Sequence, residues 1–240
     1  AAGRVARIVL AYCRHLASCH GLIAATSVPP VPPNLVVLDR DGVINRDSDA
    51  FIKSPSEWIP IAGSIEAIAL LSRCGAIVAV ASNQSGIGRK LFDRRALYAI
   101  HRKMRRAVKK AGGSIDRIVY CPHLPDDGCD CRKPAPGLLL RLGRHYGIAM
   151  HGIPVIGDTE RDLMAAEAAG ARPVLVLTGN GRRTKEELEG RGVAVEYYED
   201  LLSAAKVLVG EPAPGRLPNR REAFDGRMNR PLSRRKRSCS

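Results

Sequence analysis

The chain has 240 residues, 45% of them apolar, enough for one substantial core and too many for a chain disordered throughout. Only 4% are aromatic, so that core must be Ala, Val, Ile and Leu, and no run reaches the roughly 18 consecutive apolar residues of a membrane-spanning helix. The net charge of +14 suggests a nucleic-acid partner until it is divided along the chain.

Residues 1–33 carry Arg4, Arg7 and Arg14 and no acid, while residues 211–240 carry nine Lys or Arg against three acids. The stretch 34–210 is left with 26 basic and 21 acidic residues, a surplus of only five. The first segment reads as an irregular extension. Its apolar run Ile8-Val9-Leu10 is broken by Arg14 and His15 too soon for a secretory core. Its Cys13, His15, Cys19 and His20 fit no ligand spacing, and it closes on the spacer Pro29-Pro30-Val31-Pro32-Pro33. The last thirty residues hold Pro212, Pro214, Pro218, Pro231 and the run Arg234–Arg237 without apolar period, and read as a disordered basic tail.

Between them the pattern alternates. Strands are expected at 35–38, 76–81, 117–121, 153–157, 173–177 and 193–197, and helices at 63–73, 93–111, 136–146, 160–169 and 200–209. Strands alternating with helices predict an α/β fold, a doubly wound, mostly parallel sheet, over residues 34–210. The 93–111 helix is dense in Arg and Lys, all off its apolar stripe, and reads as a solvated outer face because Tyr98 alone interleaves, too few aromatics to stack bases. Gly86-Ile87-Gly88 lacks a P-loop Lys and a dinucleotide fingerprint and reads as a turn. Cys74 falls between a helix and a strand and reads as a buried thiol.

In such sheets chemistry collects beyond the carboxyl ends of the strands. Asp39 and Asp41, Ser82 and Asn83, the loop after Cys121, and Asp158 all stand there. Converging carboxylates need a cation or must protonate. A hard divalent ion, Mg²⁺, suits Asp39, the Asp41 carbonyl and Asp158. A second cluster, Cys121, His123, Cys129 and Cys131, packs three thiols and an imidazole into eleven residues, a complete Cys₃His set for structural Zn²⁺. It would fix the loop that delivers Arg132 and Lys133. Reduced thiols also point to a cytoplasmic setting.

The Asp39-Arg40-Asp41-Gly42 turn, Ser82, Lys133 and the Gly157-Asp158…Asp162 run resemble the four motifs of the haloacid dehalogenase (HAD) superfamily of phosphatases. The resemblance spans about 35–209. It implies a HAD-like Rossmannoid fold with Asp39 as phosphoryl-accepting nucleophile and Asp41 as general acid and base. It also implies that Ser82 and Lys133 stabilise the phosphoryl group. Asp162, one helical turn after Asp158, reads as a support of the metal site from behind, with a plain helix residue as the alternative. The string 121–134, Cys-Pro-His-Leu-Pro-Asp-Asp-Gly-Cys-Asp-Cys-Arg-Lys-Pro, is similar to minimal-cap, zinc-bearing members: heptose-bisphosphate 7-phosphatases and histidinol-phosphate phosphatases. Ser82–Arg89, Pro134–Gly137, Asp39–Asn45 and Glu57–Pro60 look like the heptose group, and Ser85 stands where the histidinol group usually has Asp.

That family removes the C7 phosphate of D-glycero-D-manno-heptose 1,7-bisphosphate to supply nucleotide-heptose for lipopolysaccharide. The resemblance places substrate contacts at Asp47, Ser48, Asp49 and Ala50, at Ser82, Asn83, Gln84 and Ser85, and at Arg132 and Lys133, with Arg132 on the distal C1 phosphate. The expected partner is thus a small sugar bisphosphate bound by a monomer, with neither nucleic acid nor membrane. Two alternatives stay open. One is histidinol phosphate. The other is a polynucleotide 3′-phosphate, since DNA 3′-phosphatases carry a string like Asn83-Gln84-x-Gly86-Ile87-Gly88-Arg89 but lack the Cys₃His loop.

Overall fold

A computed structural model describes residues 34–210; the extensions expected at 1–33 and 211–240, with Cys239, lie outside the described residues. Six short apolar strands, β1 (Leu35–Leu38), β2 (Ile77–Asn83), β3 (Arg117–Cys121), β4 (Pro154–Gly157), β5 (Arg172–Val176) and β6 (Tyr197–Tyr198), pair in parallel in the order β3-β2-β1-β4-β5-β6. Parallel strands need crossovers that cover both faces, which is why β1 and β4 are buried at every residue.

The crossovers are α1 (Ser64–Arg73), α2 (Ser85–Gly88) with α3 (Arg94–Lys110), α4 (Gly137–Tyr146), α5 (Glu160–Ala168) and α6 (Gly181–Gly190), and α7 (Leu201–Leu208) ends the domain. Side chains alternate along each strand. Val36, Leu38, Val78, Val80 and Ile156 meet Ile68 and Leu71 of α1, Ile100 and Met104 of α3, and Leu201 of α7. Leu35, Val37, Ala79, Ala81 and Val155 meet Leu138, Leu139 and Leu142 of α4 and Ala165 and Ala166 of α5. The expected doubly wound sheet is therefore present, parallel in all its described pairings.

There is no separate cap domain between β1 and α1. Residues 39–63 form a loop with two isolated bridges, Asp41–Asn45 and Asn45–Pro60. Trp58, fully buried, anchors it. Lys103 of α3 lies 5.6 Å from the centre of the Trp58 ring and donates to the carbonyls of Pro55 (2.6 Å) and Trp58 (2.8 Å). Arg105 of the same helix donates to the carbonyls of Ile115 and Asp116. Two of the charges read as a solvated face thus tie down neighbouring loops.

Other expectations need correction. The strand placed at 193–197 shrinks to Tyr197–Tyr198, because β6 is an edge held by few bonds, among them Leu177 N–H to the Tyr198 carbonyl (2.9 Å). Helix α6 went unpredicted: it buries only Gly181, Thr184 and Leu188, too little apolar surface to make a period. Gly86 and Gly88 lie in helical α2 rather than a turn. A Cβ on Gly86 would stand 2.2 Å from the Phe92 ring, and one on Gly88 would stand 2.7 Å from the Pro122 carbonyl oxygen. Close packing, not turn geometry, requires both. Cys74 is exposed, because it caps α1 at the surface beyond the last buried turn.

Candidate active site

The strand order reverses between β1 and β4, and the gap beyond their carboxyl ends is where a doubly wound sheet holds ligands. The main-chain N–H of Asp39 donates to the Ile156 carbonyl (2.8 Å), which fixes Asp39 across that gap from Asp158. Carboxylate oxygens of Asp39, Asp158 and Asp162 come within 4.8 Å of one another. They lie on the floor of a cleft of about 350 Å³.

Glycines make room for the acids. Gly42, with φ of 80°, would put a Cβ 2.0 Å from Asp158 Oδ2, and Gly179, with φ of 56°, would put one at 2.3 Å. No side chain fits at either position. The same Oδ2 accepts from Asn180 N–H (2.8 Å) and Asn180 Nδ2 (3.2 Å), while Thr184 Oγ1 donates to the Asp158 carbonyl (2.9 Å). Thr178 Oγ1 ties the loop to β1 by donating to the Gly42 carbonyl (2.7 Å). Residues 178–180 at the head of α6 therefore hold Asp158. Sequence reasoning missed them, although the Thr-Gly-Asn-Gly string after β5 was the available signal.

Lys133 is buried and its Nζ lies 2.9 Å from Asp39 Oδ1 and 2.5 Å from Asp162 Oδ1, and donates to the Ala81 carbonyl (2.8 Å). Burial favours a neutral amine, but Asp162 and Asp39 outweigh it and hold Lys133 charged. Asn83 clamps the Lys133 backbone from both sides, donating to its carbonyl (3.0 Å) and accepting from its N–H (3.1 Å). The other Asp162 oxygen accepts from Thr159 N–H (3.1 Å) and Thr159 Oγ1 (2.5 Å). Both oxygens of Asp162 are thus engaged, one on Lys133 and one on the start of α5.

The carboxylate of Asp41 lies apart from the three-acid group. Arg40, itself buried, donates Nε and Nη2 to Asp41 Oδ1 (2.9 and 2.8 Å) and Nη2 to Oδ2 (2.7 Å). Asn45 Nδ2 donates to Oδ1 (2.8 Å) and Gln84 Nε2 to Oδ2 (2.9 Å). Gln84 also donates to Ser82 Oγ (2.9 Å), which leaves the buried serine's own proton free for the cleft. Arg40 received no role from the sequence, yet it grips Asp41 more closely than any other side chain does.

Asp47, Ser48, Asp49, Asn83, Gln84, Ser85 and Arg132 also line this cleft, whereas Ala50 does not. The main-chain N–H of Ala50 donates to Ser48 Oγ (3.2 Å) and its carbonyl accepts from Lys53 (2.8 Å). Arg89 and Arg161, to which the sequence assigned no role, join the lining.

The acids fit a cation on electrostatic grounds. Burial, reinforced by Asp39 and Asp162, pushes Asp158 up to about 8. Burial also raises Asp39 to about 6, against the pull of Lys133. Asp39 Oδ1 is buried, and the Lys133 ammonium at 2.9 Å is its only partner among the described residues. One lysine does not balance three carboxylates, and an oxygen-seeking divalent ion would.

A second cluster fits a different ion. Cys121 Sγ lies 3.5 Å from His123 Nδ1 and 3.6 Å from Cys129 Sγ; Cys131 Sγ lies 3.3 Å from His123 Nδ1 and 3.7 Å from Cys129 Sγ. A tetrahedral zinc with Zn–S of about 2.3 Å and Zn–N of about 2.1 Å has edges of roughly 3.5–3.8 Å. Three of these four separations fall at that spacing, and the Cys131–His123 one, at 3.3 Å, is slightly shorter. Burial pushes the Cys121 thiol up to about 12, so ionising it calls for a cation.

A HAD-hydrolase-like family model matches residues 130–204. D-glycero-β-D-manno-heptose-1,7-bisphosphate 7-phosphatase of Pseudomonas putida is 51% identical over 175 residues, 73% of this chain and 99% of the relative. The Pseudomonas aeruginosa protein of that name is 52% identical over 176 residues, 73% and 98% of the two chains. The crystal structure of D,D-heptose 1,7-bisphosphate phosphatase from Bordetella bronchiseptica, complexed with magnesium and phosphate, superposes with a TM-score of 0.70 at 50% identity. It covers 73% of this chain and 98% of that one. With the strand-end carboxylates, the buried lysine and the Cys₃His loop in place, the chain belongs to the heptose-1,7-bisphosphate 7-phosphatase family of HAD-like hydrolases.

Proposed function

We propose that this protein is a Mg²⁺-dependent phosphatase that hydrolyses the C7 phosphate ester of D-glycero-β-D-manno-heptose 1,7-bisphosphate, releasing heptose 1-phosphate and inorganic phosphate. The β anomer follows the names of its relatives. One observation carries the chemistry: Asp39, at the floor of the cleft, stands 2.9 Å from buried Lys133 and within the same carboxylate cluster as Asp158.

In this reading an Asp39 carboxylate oxygen attacks phosphorus, and the bond between phosphorus and the C7 oxygen breaks. Asp41 gives its proton to the departing oxygen. Water then attacks the aspartyl-phosphate at phosphorus, Asp41 takes the proton back, and Asp39 is freed with release of phosphate. Lys133 and the Ser82 hydroxyl face the transferring oxygens and stabilise charge developing there. Arg40, Asn45 and Gln84 hold Asp41 in place between the two proton transfers. Asp39, Asp158 and the Asp41 carbonyl would hold Mg²⁺, which when bound offsets the negative charge shared by carboxylates and phosphoryl group. Asp162 orients Lys133 rather than binding the ion, since both its oxygens are taken.

Zn²⁺ on Cys121, His123, Cys129 and Cys131 is structural in this reading, because four protein donors close the tetrahedron. The free thiols of that loop support a reducing, cytoplasmic setting. Among the described residues no helix is long and apolar enough to cross a membrane. The protein acts as a monomer, without nucleic acid.

Phosphate release from heptose 1,7-bisphosphate, histidinol phosphate and 3′-phosphorylated DNA, measured side by side, tests the assignment. The heptose ester should be preferred by orders of magnitude. A preference for the DNA, with binding that falls steeply in salt, would overturn it.

A further inference from the structure

Beside the catalytic cleft lies a second hollow of about 380 Å³ that shares Pro125, Arg132, Lys133 and Arg161 with it. Charge separates the two. The cleft is lined by six aspartates against five cations, Arg40, Arg89, Arg132, Lys133 and Arg161. No residue lining the hollow is acidic, and three are cationic.

Only two of those three have charge to spare. All three acceptors around Lys133 Nζ, namely Asp39, Asp162 and the Ala81 carbonyl, are already in contact with it. Arg132 makes one long bond, from Nη1 to the His123 carbonyl (3.3 Å). Arg161, exposed in the first turn of α5, has no ion pair or hydrogen bond among the described residues. Two such guanidinium groups on one acid-free wall suit a doubly charged phosphate, which takes planar N–H pairs from more than one side.

The resemblance already puts Arg132 on the substrate's distal phosphate; we propose that Arg161, which lines the same hollow, is a second binding residue for that group. The inference rests on the bisphosphatase reading above. The zinc loop supplies one guanidinium and the start of α5 the other, so the distal group is gripped from both sides. Arg161 lies three residues after Asp158 and one before Asp162, so the helix that places the carboxylates also sets the reach to the far end of the substrate. The grip contributes to selecting a bisphosphate over a monophosphate and takes no part in bond breaking.

The test compares kcat/KM of the full-length Mg²⁺-loaded enzyme for heptose 1,7-bisphosphate with that for heptose 7-phosphate, which lacks the distal group. In Arg161→Ala the ratio of the two should fall about ten- to a hundredfold, the loss expected of a charge-assisted contact. Arg161→Lys, which keeps the charge and loses the fork, should fall between. An unchanged ratio in folded Arg161→Ala, judged by its melting curve, would overturn the proposal. So would an equal loss on both esters, which would place Arg161 at the transferring phosphate instead. If the wild-type enzyme itself does not favour the bisphosphate, the bisphosphatase reading fails, not merely the role of Arg161.

Discussion

Asn180 bonds Asp158 twice at the same oxygen, by its main-chain N–H (2.8 Å) and by its side-chain amide (3.2 Å). That amide also reaches Asp47 Oδ2 (3.3 Å) in the loop after β1. Both acceptors are carboxylates, so the amide nitrogen must face them. A residue at the head of α6 thereby links the metal-site acid to the loop proposed to touch the sugar.

Asn180→Ala removes the side-chain link and keeps the main-chain one. The Mg²⁺ concentration for half-maximal activity should rise about tenfold, as for loss of a hydrogen bond that orients a metal ligand. KM for the heptose ester should rise with it through Asp47. Isothermal titration with Mg²⁺ alone provides the readout independent of turnover. Unaltered affinity would show the main-chain bond to be sufficient.

Asp158 at about 8 and Asp39 at about 6 lie above the 3.8 of a free aspartate. Without Mg²⁺, the folded state keeps protons that the unfolded state releases above pH 4, so these groups favour the fold at acid pH. That contribution is lost as pH rises toward 8. The melting temperature of Mg²⁺-free, zinc-retaining protein should therefore decline from pH 5.5 to 8.5 through these acids. Added Mg²⁺ should raise it more at pH 8 than at pH 5.5. An equal or larger gain at the acidic end would contradict the electrostatic account.

Lys133→Met leaves Asp39 and Asp162 facing each other without a counter-charge, at side-chain exposures of 13% and 3%. Breaking a buried pair by removing one partner costs about 3–5 kcal/mol. Urea unfolding should register that loss, and turnover should vanish. Lys133→Met with Asp162→Asn should regain part of the stability and none of the activity.

Much of this was legible in the sequence. Strands β1 to β5 and the acids at their ends stand out because apolar runs stop abruptly at Asp39 and Asp158. The Cys₃His spacing is local and survives any uncertainty about the fold. Arg40 and Asn180 were not legible, because each acts through distances that sequence order hides: Arg40 looks like a spacer inside Asp-x-Asp, and Asn180 meets Asp158 across 22 residues. Helix α6 escaped notice for a related reason, its surface being mostly charged with Thr184 and Leu188 as the only side chains buried.

Replacing a zinc donor tests how far the Cys₃His loop controls Lys133. Cys131 is buried at 5% exposure and directly precedes Arg132 and Lys133. Cys131→Ser should lower zinc content from one per chain toward none by elemental analysis. It should cut kcat/KM by about a hundredfold, the scale on which a misplaced charged group slows a reaction. Full activity in a zinc-free protein would disconnect the loop from catalysis.

The most direct measurement is C7 phosphate release from heptose 1,7-bisphosphate by Asp39→Asn under saturating Mg²⁺, with circular dichroism verifying the fold. Asparagine keeps the shape of the side chain and cannot accept a phosphoryl group as a carboxylate does. Turnover should fall to background, at least about a thousandfold below wild type, in a protein that melts as one cooperative unit. A folded Asp39→Asn protein that still releases phosphate would contradict the assignment of Asp39 as the nucleophile.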